Sequence, residues 1–119
     1  MQFRRFNNKY FVRIDKGEEI MQTLKNFCTA EKITLAEIKA LGAIDDFEVG
    51  LFDVATKKFH KNHFQFPAEI TSFWGTVTTK DGEVYLHIHM SAANSEGEVF
   101  GGHLNSAVVS ATCEMIIDD

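Results

Sequence analysis

Apolar residues along the chain recur with two different periods, and the switch between them outlines the architecture. From Glu18 to about Glu31, Ile20, Leu24, Phe27 and Cys28 return at steps that keep them on one side of a helix. The pattern predicts one long amphipathic helix over about residues 18–31. Asp15, with Glu18 three residues later, has the spacing of a capping box, so the Asp15 carboxylate is expected to satisfy the first free N–H groups. Tyr10–Asp15 (YFVRID), just before, is rich in strand formers. Beyond Ile33 the text breaks into short runs with a period near two: Ala36–Ala43, Phe47–Val54, Phe59–Phe66, Ile70–Thr79, Glu83–Ser91, His103–Val109 and Ala111–Ile117. Asp81-Gly82 between two of these runs is a strong hairpin signal. No second strongly amphipathic helix follows, so the helix must pack on a sheet. The expected fold class is α+β, a mainly antiparallel β-sheet packed with one long amphipathic helix.

Length and composition narrow the class. The 119 residues suit one domain, expected over residues 1–119, because no repeat, low-complexity tract or linker interrupts them. One proline and eight glycines exclude collagen-like and linker-rich chains. No apolar run approaches the ~20 residues of a membrane helix, so no membrane partner is expected. The first fifteen residues lack the apolar stretch of a secretory signal. Cys28 and Cys113 are too few for a disulfide framework. Together these features point to a cytoplasmic location.

Twelve Lys and Arg against seventeen Asp and Glu leave a net charge of −5. That balance opposes strong nucleic-acid binding, which rests on neutralising phosphates. The densest basic segment, KKFHKNH, reads as a solvated hairpin before it reads as a DNA patch.

Candidate chemistry centres on EVYLHIHM. Strand alternation puts Val84, Leu86, Ile88 and Met90 on one face, and Tyr85, His87 and His89 on the other. Two imidazoles about 6–7 Å apart can reach one ion. His103 follows beyond the glycine-bearing SAANSEGEVFGG, where Gly101 and Gly102 permit the chain to turn back beside the strand. Three neutral imidazoles with a free fourth position make a zinc site of the catalytic type. The competing reading is a pair of solvated surface histidines. His60 and His63, three apart in a probable strand, face opposite sides and make poor joint ligands. Glu114 alternates with Thr112 and Ile116 and is expected to be exposed, and Cys113 to be a small core residue. GxSxG, P-loop and GxGxxG motifs are absent.

The segments RIDKGEEI, IKALGAIDD, EITSFWGTV, LHIHM and GEVFGGHL, in that order, resemble the plant and prokaryote conserved (PPC) domain from Arg13 to about Glu114. The most specific element is HxH followed by G-x-x-x-G-G-H-L. The resemblance implies a compact α+β domain that assembles as a homotrimer. It also implies the DNA-binding label that single-domain prokaryotic members usually carry. Plant members place the domain after AT-hook segments, and this chain has no RGRP-like hook. At fold level the family is similar to zinc-dependent acetolactate decarboxylases, whose metal is held by HxH and a third histidine downstream. His87, His89 and His103 match that pattern, which implies Zn²⁺ or another divalent ion and places the chain with the metal-capable prokaryotic type. Glu69 and Arg13 stand in matching segments and are the candidates for polar groups around the metal.

Two readings remain open: a homotrimeric DNA-binding or regulatory module with a three-histidine metal site, and a small zinc-dependent, lyase-like enzyme. The second would act on a carbonyl or carboxylate metabolite as a small-molecule ligand at the metal.

Overall fold

The computed structural model describes residues 1–119. Seven strands and one helix follow in the order β1 (Gln2–Phe6), β2 (Lys9–Asp15), α1 (Ile20–Ala30), β3 (Ala36–Asp53), β4 (Lys58–Phe64), β5 (Ala68–Lys80), β6 (Glu83–Ala93) and β7 (Val99–Asp118). All strand pairings are antiparallel, in the order β1-β2-β7-β6-β5-β3-β4, and β3 also pairs with β7. The extra pairing closes β3, β5, β6 and β7 into a ring. The α+β class with a mainly antiparallel sheet therefore holds, and no helix is long and apolar enough to cross a membrane.

The long helix does not. Only the 11 residues Ile20–Ala30 are helical, because Glu19 ends the preceding extended segment and caps the helix from within the expected span. The Glu19 carboxylate accepts the N–H groups of Met21 and Gln22 at 2.9 and 2.7 Å. Asp15 is not the cap. Its backbone N–H donates to the Glu18 carboxylate at 2.8 Å, and its own carboxylate pairs with the Met1 amine and with Arg13. Eleven residues make a marginal helix on their own. Tertiary burial of Ile20, Leu24, Phe27 and Cys28 holds it, each large apolar side chain contributing roughly 1.5–3 kcal/mol.

Two strands are longer than the runs in the sequence. Ala36–Ala43 and Phe47–Val54 are parts of one 18-residue strand, and the last two runs join into the 20-residue β7. Register shifts between Lys39 and Ala43, and at Gly42/Ile44, Ile44/Asp46 and Glu48/Val49, break the alternation and make each strand look like two. Strand β1 escaped notice because all its side chains are exposed, so no apolar alternation marks it. The Asp81-Gly82 turn is as expected: both residues have positive φ (53° and 78°), joining β5 to β6 with Lys80 opposite Glu83.

The core contains no buried polar or charged residue. Several of the eleven phenylalanines gather in two clusters. Phe3, Tyr10 and Phe27 meet edge to face under the helix. Phe47, Phe64, Phe66 and Phe100 pack at the base of the β3–β4 hairpin, with ring centroids 4.8–5.7 Å apart.

Glu19 has a third task. Its Oε2 also accepts the Ala107 N–H at 2.9 Å, in the stretch of β7 between the segments paired with β6 and β2. Gly17 N–H and Glu18 C=O bond Val109 there as well. Glu19→Ala should lower unfolding stability by about 2–3 kcal/mol in urea titration, since three charge-assisted bonds are lost together. Glu19→Gln, which keeps an acceptor, should lose less than half of that.

Candidate metal centre

The histidines lie where strand pairing puts them. On β6, exposed His87 and His89 alternate with buried Ile88 and Met90. His89 is directly opposite His103 on β7, Trp74 on β5 is opposite His89, and Thr76 is opposite His87. Cross-strand partners share a face, so three imidazoles converge on the outer surface of the sheet. Their ring centroids are 5.2, 5.4 and 5.9 Å apart. One ring nitrogen from each lies within 4.8 Å of the others. A tetrahedral ion with nitrogen distances of 2.0–2.1 Å needs its donors about 3.4 Å apart, a closure within reach of small side-chain rotations.

Glycines admit the third ligand. Gly102 has φ +154°, and a Cβ there would lie 2.6 Å from the Gly50 carbonyl oxygen. Gly50 pairs with His103, and the space of its missing side chain is filled by the Phe59 ring, which a Cβ would meet at 2.6 Å. That ring packs edge-on against His103 with centroids 5.7 Å apart. A cleft of about 620 Å³ opens beside the imidazoles, walled by Phe52 and Phe59. A smaller depression of about 280 Å³ lies on the other side, against Trp74 and Thr76. Trp74 is anchored by its indole N–H, which donates to Glu37 at 2.8 Å.

Partial burial, and then the neighbouring His87 and His89, hold the His103 imidazole below its ordinary range. At neutral pH it is the uncharged form that faces the other two, which is the form that ligates a metal. The donor set is all nitrogen, with no carboxylate among the three. Imidazoles suit zinc and its transition-metal neighbours, whereas magnesium and calcium take oxygen ligands.

The remaining candidates fall elsewhere. Glu69 lies five residues from Trp74, roughly 16 Å along β5, and pairs with Ala43 and Ala93. Arg13 pairs with Glu114, eleven residues and roughly 35 Å of strand beyond His103, and it bonds Asp15 at 3.1 Å. The structure brings neither to the histidines, because sequence proximity to a motif does not fix position along a strand. His60 and His63 separate as expected: His63 meets Asp46 at 2.7 Å, and His60 faces Asp53 at 3.7 Å. Glu114 is exposed, and burial pushes the Cys113 thiol up to about 12, leaving it inert. Sequence reading missed Gly50, Phe59 and Phe52, whose only signal was an aromatic-rich hairpin with a glycine in its first strand.

The family model of the Plants and Prokaryotes Conserved (PCC) domain matches residues 1–119. The chain belongs to this family. None of the curated proteins matches it. Among solved structures, a "putative DNA binding protein" from Bacteroides thetaiotaomicron superposes with a TM-score of 0.97 at 30% identity, covering 99% of this chain and 82% of that one. A metal-containing protein from Archaeoglobus fulgidus matches at 32% identity and TM-score 0.87, covering 98% and 83%. A plant- and prokaryote-conserved protein from Pyrococcus horikoshii matches at 33% and 0.87, covering 98% and 80%. The fold also extends to a Staphylococcus aureus protein of unknown function similar to α-acetolactate decarboxylase, at 15% identity and TM-score 0.57, covering 89% of this chain and 50% of that one.

The lowered His103 pKa gives a signed expectation for the PCC-domain chain without metal. The folded state resists protonation of this group, so its stability contribution is full above about pH 6.5 and falls as pH drops toward the depressed folded value. Melting curves in chelator from pH 7.5 to 5 should show a fall in Tm that is smaller in His103→Gln.

Proposed function

We propose that this PCC-domain protein is a zinc-type metal protein. His87, His89 and His103 hold one divalent ion whose free coordination position binds a small oxygen-donor ligand. The observation that carries this reading is the convergence of three ring nitrogens within 4.8 Å beside a cleft of about 620 Å³. The metal-containing relative from Archaeoglobus fulgidus supports it. A bound Zn²⁺ would act as a Lewis acid, polarising a ligand carbonyl or carboxylate. This chain's residues would orient it: Phe59 steadies His103, Gly102 and Gly50 let the strands close, and Phe52 walls one side. Within one chain Glu69 and Arg13 lie away from the cleft. Ligand binding is thus better supported than decarboxylation.

The protein is further proposed to assemble as a homotrimer. Phe11, Leu41, Trp74 and Ile116 are exposed on one sheet face, linked through the pairs Phe11–Ile116, Ile116–Lys39 and Lys39–Trp74. Burying such a face in an assembly removes it from water. Protein purified without a nickel column should carry about one zinc equivalent per chain, with a solution mass near three times 13.5 kDa. Substituting any one of the three histidines by alanine should weaken zinc at least about a hundredfold in chelator competition, since loss of even an outer-shell partner costs 10–100-fold. A protein that takes up no divalent transition metal would refute the reading.

DNA binding is the second reading, favoured by Lys57, Lys58 and Lys61 on the exposed β3–β4 hairpin, none of them in an ion pair, and by the name of the Bacteroides relative. Three copies at −5 each total −15, so the field opposes a duplex beyond the hairpins. Titration at 150 mM salt should give an affinity no tighter than about 10⁻⁴–10⁻⁶ M, falling steeply with added salt and blind to sequence.

A further inference from the structure

The histidine cleft is chemically two-sided. The imidazoles of His87, His89 and His103 form one side, and Phe52 and its cross-strand partner Phe59 form the other. No carboxylate lines it. Phe52 is 53% exposed, although it lies on a hairpin whose outer strand is rich in lysine, histidine and asparagine. Edge hairpins are usually kept polar to prevent association, so apolar side chains beside a polar donor set call for an occupant that matches both. Phe59 is already seated: its ring fills the vacant side of Gly50 and touches His103, so part of the apolar wall is preformed.

Charge selects the other end of the occupant. A divalent ion on three neutral imidazoles keeps both positive charges, with no acidic side chain in the cleft to offset them. An anionic oxygen donor is therefore the favoured fourth ligand. The volume, about 620 Å³, is in the range of metabolite sites. The Trp74 side offers less than half that space.

We propose that the cleft binds a small monocarboxylate bearing an apolar substituent, with the carboxylate at the metal and the substituent against Phe52 and Phe59. The assignment rests on the three-histidine metal reading and adds the class of ligand to it. A second copy of the chain laid over the hairpin is the competing occupant, and the test separates the two.

The experiment is calorimetric titration of the zinc-loaded full chain with acetate, butanoate, hexanoate and phenylacetate. Affinity should rise about three- to fourfold per added methylene along the straight-chain acids. It should vanish in protein stripped of zinc. Phe52→Ser and Phe52→Ala, at an exposed position, should each weaken hexanoate at least about tenfold and flatten the series, with the fold checked by circular dichroism and zinc content by chelator competition. Equal affinity for acetate and hexanoate, or a series unchanged in the Phe52 variants, overturns the proposal while leaving the metal reading intact. A drop in solution mass in those variants, with no change in the series, assigns the patch to a second copy and also overturns it. Failure to load zinc at all overturns both.

Discussion

Twenty consecutive residues of β7 must find hydrogen-bond partners along both edges, and the fold is arranged around that requirement. One edge is taken by β3 from His103 to Asp118. The other is divided: β6 covers Val99–His103, β2 covers Thr112–Asp118, and the turn entering the helix serves the interval between them. A buried N–H left without an acceptor costs as much as a lost hydrogen bond or more. The helix therefore starts where it does because Glu19 is needed at Ala107, and capping of α1 and completion of β7 are one interaction.

The same strand carries the site. His103 lies at the junction where β7 is bonded to β6 and β3 together, so its backbone is held from both sides. His89 faces it by register, and His87 follows two residues away on the same face. The centre is thus built on strands rather than on a loop, which favours precise donor positions. The glycines make room: side chains at Gly50 or Gly102 would collide with the Phe59 ring or with neighbouring backbone. Phe59 in turn supplies the apolar surroundings that contribute to the lowered His103 pKa. Fold closure and ligand chemistry share their residues here, so substitutions at these glycines would disturb both.

Charge and shape divide the surface between functions. The basic hairpin and the apolar cleft wall belong to the same β-hairpin, Phe52 on its first strand and Lys58, Phe59 and Lys61 on its second. An overall charge of −5 sets the long-range field, while three lysines set a local one. Screening over about 8 Å at physiological salt keeps them separate. A nucleic-acid partner would feel the local patch only on contact.

Local pattern determined much of this protein. The period-two alternation of EVYLHIHM placed both histidines outward, and the glycines before His103 signalled a close approach. Asp81-Gly82 specified its turn, and the four apolar helix positions are the four that are buried. These features depend on neighbours within a few residues, whose geometry the backbone dictates. Tertiary structure decided the rest. The helix start moved from Glu18 to Ile20 because a strand about ninety residues later needed the Glu19 carboxylate. The two longest strands were hidden by bulges, and β1 by its exposure. Glu69 and Arg13 were separated from the histidines by distance along their strands, while Phe59 and Gly50 were brought to them by pairing between β3, β4 and β7. Which residues meet across a sheet is set by register, and register is fixed only when every strand competes for the same backbone partners.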